Sequence, residues 1–122
     1  TPATEHLFDV HKDNKDKILP KEQTLAFHCI TAQLLFLSAG ARPDIQNPMT
    51  FLCTRGRAPD ENEWGKLKCV LKYLHGTQQM KLCLEANNLE ELTWWADASY
   101  AVHWDNRIHT GMVVSLELGA IM

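Results

Sequence analysis

Leu92-Thr93-Trp94-Trp95-Ala96-Asp97-Ala98-Ser99 decides how the chain is read. Aromatic, β-branched and small apolar residues crowd together there, as in a strand. The run ends on a carboxylate followed by a small residue and a hydroxyl. A carboxylate at the end of a buried strand is costly unless a positive group sits against it. A metal ion is the functional partner for such a group, and a solvated strand end is the plain alternative. Trp94 and Trp95 point to opposite faces, so one is expected in the core and the other exposed or at an interface.

Outward from this stretch the period stays near two. Met80, Leu82 and Leu84 alternate with Lys81 and Cys83, which predicts a strand. Ala86 to Glu91 is a polar turn containing Asn87-Asn88. On the other side, Ala101 to His109 reads as a loop or hairpin connection. Met112 to Leu118 reads as another strand, and Gly119 turns the chain again.

Upstream the period is helical. Pro20 opens a helix over about Lys21 to Ser38, with Phe27, Ile30, Leu34 and Leu37 inward and Cys29 and Phe36 widening the face. Ser38-Ala39-Gly40 stops it. Pro43 begins a single turn. A fresh helix then takes Asn47 as cap and Pro48 as its first residue, buries Met49, Leu52 and Cys53, and ends near Arg55-Gly56. Pro59-Asp60-Glu61-Asn62-Glu63 is the clearest helix start. Asp60 and Glu63 have capping-box spacing, with acids where the helix dipole favours them. Trp64, Leu67, Leu71 and Leu74 follow as the inward stripe, with Val70 beside it and Lys66, Lys68 and Lys72 off it. His75-Gly76 closes the helix.

Helices first and antiparallel strands afterwards give an α+β class: about three helices, then a small antiparallel sheet. The expected divisions are a poorly ordered lead-in over 1–19, a helical segment over 20–77 and a β segment over 78–122.

The chain has 122 residues, 45% hydrophobic and 22% charged, with a net charge of −3. This is the composition of one globular domain with a modest core and no overall basic signature. Basic residues outnumber acidic ones between Arg42 and Lys72. From Lys81 onward Glu85, Glu90, Glu91, Asp97, Asp105 and Glu117 dominate. The four cysteines, Cys29, Cys53, Cys69 and Cys83, lack metal-finger spacing and sit among apolar residues. Buried free thiols in a reducing, intracellular compartment are expected, although a disulfide pair is compatible with the sequence. No apolar run is long enough to span a membrane, and no secretory leader is expected. Thr1 and Ile121-Met122 read as cut ends within something longer.

Three tempting sites fail. With Ile18 at the apolar position of a calcium loop, Asp13 and Glu22 fall on ligand positions. However, His11 and Lys15 replace ligands, and Asp16 stands where glycine is needed. Ser99, His103 and Asp105 lack a nucleophile elbow. His28 and Cys29 are adjacent on a helix, about 100° apart, and cannot meet. Trp104 has no assignable role.

Three stretches together resemble the Ty1/copia-type retrotransposon pol polyprotein. Phe27-His28 through Arg42-Pro43-Asp44-Ile45 resembles the apolar helix and R-P-D-I that follow its polymerase active site. Trp64 through Tyr73-Leu74-His75-Gly76-Thr77 resembles its next helix, of the form L-K-R-V-L-x-Y-L-x-G-T. Asp97-Ala98-Ser99, with Arg107 and Thr110-Gly111, resembles the start of its ribonuclease H domain. The series covers nearly all of the chain from about Thr24. It departs from the family at Ala39-Gly40, at Pro48 and at Cys69, where basic residues are common at the first and an arginine is usual at the last.

The resemblance implies a fragment running from the C-terminal helical part of reverse transcriptase (thumb or connection) into an incomplete ribonuclease H start. Asp97 would be the first acidic residue of that site, a Mg ligand only if completed by carboxylates absent here. Two ions roughly 4 Å apart do this hydrolysis, and one carboxylate cannot hold the pair. The polymerase's Y-x-D-D motif is also absent. The fragment is therefore expected to bind no Mg and to lack independent catalysis, although the parent family is enzymatic.

An RNA–DNA hybrid or duplex is the implied partner, together with the rest of the polyprotein. Lys66, Lys68 and Lys72 would track a phosphate backbone, with Arg42, Arg55 and Arg57 adding to that surface. A solvated helix face explains the lysines equally well. Arg42 has the alternative of pairing with Asp44 or a helix end. An unrelated small α+β interaction domain is the remaining alternative for the whole chain.

Overall fold

The computed structural model describes residues 1–3, 6–9, 18–86, 90–99, 109–118 and 121. Several expectations lie outside them: the calcium-like positions His11, Asp13, Lys15 and Asp16, the Asn87-Asn88 turn, Gly119, and the connection containing His103, Trp104, Asp105 and Arg107. The chain divides into two compact units, Thr1–Met80 and Lys81–Met122. Three α-helices and then antiparallel strands occur in that order among the described residues, so the class is α+β as the sequence implies.

In the first unit, α1 spans Lys21–Gly40. Its buried face is Phe27, Thr31, Leu34 and Ser38, a 4-3-4 spacing. The expected face is therefore rotated. Ile30 is half-buried, while Leu37, Cys29 and Phe36 are exposed. Two hydroxyls can occupy the core side because each bonds its own helix. Thr31 Oγ1 donates to the Phe27 and His28 carbonyls at 2.8 and 3.0 Å, and Ser38 Oγ donates to the Leu35 carbonyl at 2.7 Å. A buried hydroxyl satisfied in this way carries little desolvation cost.

A 3-10 turn over Pro43–Ile45 runs directly into α2, Gln46–Arg55. Ile45, not Asn47, holds the capping position, and Pro48 is the third helical residue. The first four amides of a helix have no intrahelical partner, so proline there removes no bond. Pro48, Met49, Phe51 and Leu52 are buried.

Helix α3 spans Glu61–Gly76. It begins as its sequence demands. Glu63 N–H donates to Asp60 Oδ1 at 2.9 Å, and the Asp60 amide donates to Glu63 Oε2 at 2.7 Å. Its buried residues are Glu63, Lys66, Leu67 and Val70. Trp64 and Leu74 are half-buried and Leu71 is exposed, so the inward stripe is also rotated from expectation, bringing Lys66 inside.

The core gathers Phe27, Leu34, Ile45, Met49, Phe51, Leu52, Leu67 and Val70, with Leu7 from the N-terminal segment. Phe8 adds an edge-on contact to Phe51, with ring centroids 5.4 Å apart.

In the second unit, β2 (Thr93–Ser99) pairs antiparallel with β3 (His109–Ser115), in the register Trp94↔Val114, Trp95↔Val113, Asp97↔Gly111. A bend at Leu116 separates β3 from β4 (Glu117–Leu118), which pairs with β1 (Glu85–Ala86). The strand expected over Met80–Leu84 is thus displaced to two residues beyond it. Both tryptophans are exposed, Trp94 at 64% and Trp95 at 57%, so neither supplies the core residue expected of the pair.

The cysteines differ from expectation as well. All four are free, as expected, but Cys29 and Cys83 are exposed and Cys53 and Cys69 only half-buried. Among the described residues, no helix is long and apolar enough to cross a membrane.

Candidate functional site

Asp97 sits on β2 opposite Gly111, exposed to solvent. The alternation of the strand puts it on the face of Trp95. A Cβ at Gly111 would meet nothing within 4 Å, so the backbone beside the carboxylate is open. A divalent pair needs several bridging carboxylates. Among the described residues no three His, Cys, Asp or Glu side chains converge, and Asp97 is a single donor group. This donor set does not fit a two-ion centre.

The six basic positions singled out in the sequence do not form one surface. Lys68 and Lys72 are exposed and one turn apart on α3, where residues at i and i+4 share a face. Lys68 Nζ lies 5.9 Å from the Trp64 ring centroid.

Lys66 is different. It is 6% exposed, its Nζ donates to the Asp9 carbonyl at 2.7 Å, and it lies 5.0 Å from the Phe51 ring centroid. Burial pulls its pKa down, against the charges of Glu63 and Asp60, which push it up. The amine is engaged inside the unit. Arg55 is half-buried, with its guanidinium 5.4 Å from the Phe51 ring centroid. Arg57 is exposed in the connection between α2 and α3.

Arg42 is held most firmly. Its Nε and Nη2 grip both oxygens of Asp44 at 3.0 and 2.8 Å. Nη1 and Nη2 also donate to the Thr77 carbonyl and hydroxyl at 3.2 and 2.7 Å. Tyr73 donates its phenol to Asp44 Oδ2 at 2.8 Å, and its ring centroid lies 5.6 Å from the guanidinium. The bond from Arg42 holds the Asp44 carboxyl below the usual carboxylate range, and the bond to Asp44 pushes the Tyr73 phenol up. Pairing with Asp44 was legible as the plain alternative for Arg42. The contribution of Tyr73 and Thr77 was not.

One feature carried no signal in the sequence. Lys21, His28 and Arg57 line an open groove of about 470 Å³ whose other walls include Ile18, Leu19 and Leu25. These residues come from two stretches, 18–28 and 56–58; Lys21, Leu25 and His28 share one face of α1, but nothing in the sequence brings Arg57 to it.

No protein-family model and no solved structure matches the chain. Over 88 residues, 71% of its length, the chain is 33% identical to the retrovirus-related Pol polyprotein from transposon RE2 of Arabidopsis thaliana. The matched part spans 6% of that protein. This weak homology supports a retrotransposon Pol origin for the chain.

Proposed function

We propose that the chain is a non-autonomous piece of a Ty1/copia-type Pol polyprotein, joining the helical end of a reverse transcriptase to the first strands of a ribonuclease H. The 33% identity over 88 residues supports the Pol origin in this reading, and the subtype and the boundary rest on the motif resemblance. The order of elements agrees with it, helices first and then a hairpin bearing Asp97. The proposed divisions are residues 1–19 as lead-in, 20–77 as the polymerase-derived helices and 78–122 as the ribonuclease H-derived strands. The compartment is intracellular.

In this reading Asp97 is the first of several Mg ligands, and a working site needs further carboxylates beside it. Bound magnesium would activate water against a phosphodiester. Asp97 alone supplies one negative oxygen pair on an open strand face. The chain is therefore expected to cleave no RNA–DNA hybrid with magnesium present. Extending it through the adjoining reading frame should restore cleavage, and Asp97→Asn in the longer protein should abolish it. Cleavage by the 122-residue chain itself, or an extended protein indifferent to Asp97→Asn, would sink the assignment.

A second reading is residual binding of an RNA–DNA hybrid. The exposure of Lys68 and Lys72 on one side of α3 favours it. Cations in that position attract phosphates without sequence preference, and the affinity falls with salt.

A further inference from the structure

The groove between the first half of α1 and the end of α2 has walls fixed by the fold. Its lining comes from residues 18–28 and 56–58. Backbone pins the two stretches together. The Leu19 amide donates to the Pro59 carbonyl at 3.0 Å, and Thr24 Oγ1 donates to the Leu19 carbonyl at 3.1 Å. Further along, α1 meets the C-terminus of α2 closely, since a Cβ on Gly56 would stand 3.3 Å from His28 Nδ1. Walls set before a ligand arrives lower the ordering cost of binding.

The lining is one-sided in charge. It holds Lys21, His28 and Arg57 and no carboxylate, in a chain whose 15 acidic residues outnumber its 12 lysines and arginines. Among the described residues, none of these three side chains takes part in an ion pair or a hydrogen bond. Arg42 and Lys66, by contrast, are engaged inside the unit. Apolar side chains accompany the basic ones, with Leu25 64% and Ile18 53% exposed.

We propose that this groove docks an acidic peptide, held as an extended segment with carboxylates on both sides of one large apolar side chain. Lys21 and His28 are seven residues apart on one face of α1, about 10 Å along its axis. Leu25 lies between them, and Arg57 stands on the other wall. An extended chain rises about 3.3 Å per residue and sends alternate side chains to one face. Five residues thus present acid, apolar and acid side chains over about 13 Å, a span that the long side chain of Lys21 and the ring of His28 can meet at its two ends.

Other anions fit this lining less well. One small anion cannot reach all three basic groups across that length. Single-stranded nucleic acid stacks its bases on aromatic side chains, and His28 is the only ring in the lining. A bilayer is engaged by a helix face that lies in it, whereas these side chains line a recess. Peptide docking here goes beyond the Pol reading and does not depend on it.

The full chain is titrated with a capped peptide, Ser-Glu-Ser-Leu-Ser-Glu-Ser, and followed by amide NMR, which detects millimolar binding. Shifts should move and saturate at residues 18–28 and 56–58. Arg57→Glu should weaken binding by roughly tenfold or more, because like charges then face each other. Lys21→Glu should do the same, and an acid in the first turn of a helix does not disfavour that helix. Leu25→Ser, or serine for the leucine of the peptide, should weaken binding by roughly fivefold. Far-UV circular dichroism of the variants should match the parent, because all three positions are exposed. No shift at millimolar peptide, shifts confined to other residues, or a leucine-free peptide that binds equally well overturns the proposal. Tighter binding at the same residues by inorganic phosphate, an oligothymidylate or phosphatidylserine vesicles overturns the peptide as occupant.

Discussion

Arg42 Nη2 donates to Thr77 Oγ1 at 2.7 Å across 35 residues of chain. The turn that leaves α1 is thereby fastened to the last turn of α3. Thr77 is already bound to that helix, its hydroxyl donating to the Tyr73 carbonyl at 2.7 Å. Asp44 completes the cluster by accepting from both Arg42 and Tyr73. Arg42 and Asp44 come from one of the two motif-like stretches of the helical unit, Tyr73 and Thr77 from the other. Their joint product is a structural clamp.

Arg42→Ala should destabilise the helical unit. Hydrogen bonds to charged groups are worth about 1.5–3 kcal/mol when buried. Solvent reaches the rim of this cluster, which discounts the loss to about 1–2 kcal/mol. The urea midpoint of the far-UV signal measures it, and an unchanged midpoint would show that the clamp contributes nothing. The pH dependence has a defined sign. The Asp44 carboxyl is held low, so its contribution is full above the unfolded value of about 3.9 and is lost as pH falls through the folded value. Asp44→Asn should lower stability at neutral pH and make the acid loss shallower.

Glu63 behaves in the opposite sense. Burial is the main cause that raises its carboxyl, and the nearby Asp60 charge adds to the rise. Its contribution to stability is full below about pH 4.3 and is lost as pH rises through the raised folded value. Glutamine keeps an oxygen for the Asp60 amide and removes the buried charge. Glu63→Gln should therefore match or exceed the parent at pH 7, with the advantage vanishing in acid. Asp60→Ala, which removes the cap itself, should cost about 1 kcal/mol. Denaturant titrations at pH 4 and 7 separate the two effects.

Two buried side chains of the core should respond very differently. Leu52 is fully buried, and Leu52→Ala should cost about 2–5 kcal/mol, enough to unfold much of a marginal unit. Thr31 is 1% exposed, but its hydroxyl bonds only carbonyls of its own helix. Thr31→Val keeps the shape and removes a donor whose acceptors lie on its own helix, so it should stay within about 0.5 kcal/mol of the parent. Thermal melts of the two variants test the contrast. A large loss in Thr31→Val would mean that the hydroxyl is needed in the core.

Hybrid binding, if it follows the exposed face of α3, should depend on Lys68 and Lys72. Replacing both by alanine should weaken binding and make the salt slope shallower, by up to roughly 0.9 for each phosphate that is no longer neutralised. Lys66→Met should leave the slope alone, because its amine is engaged with the Asp9 carbonyl. Fluorescence anisotropy across a salt series distinguishes the two. Binding without any salt slope would remove the phosphate-tracking reading.

The sequence by itself determined the order of elements and several boundaries. The Asp60–Glu63 box starts α3 because both of its hydrogen bonds are local. The strand at Thr93–Ser99 was legible from its residue types, and the helix-then-strand order fixed the α+β class. The tertiary structure decided which side of each element faces inward. A helical period has a legible spacing, but its phase depends on what packs against it. Lys66 is inside because Asp9, 57 residues away, brings a carbonyl to its amine, while Phe51 brings a ring to it. A lysine stem is apolar enough to follow once the amine is satisfied. Trp94 and Trp95 are both exposed, although alternation along the strand sends them to opposite faces. Arg42 was a candidate phosphate ligand in one dimension. In three it is a clamp, because the partners that hold it come together only when α1, α2 and α3 have packed.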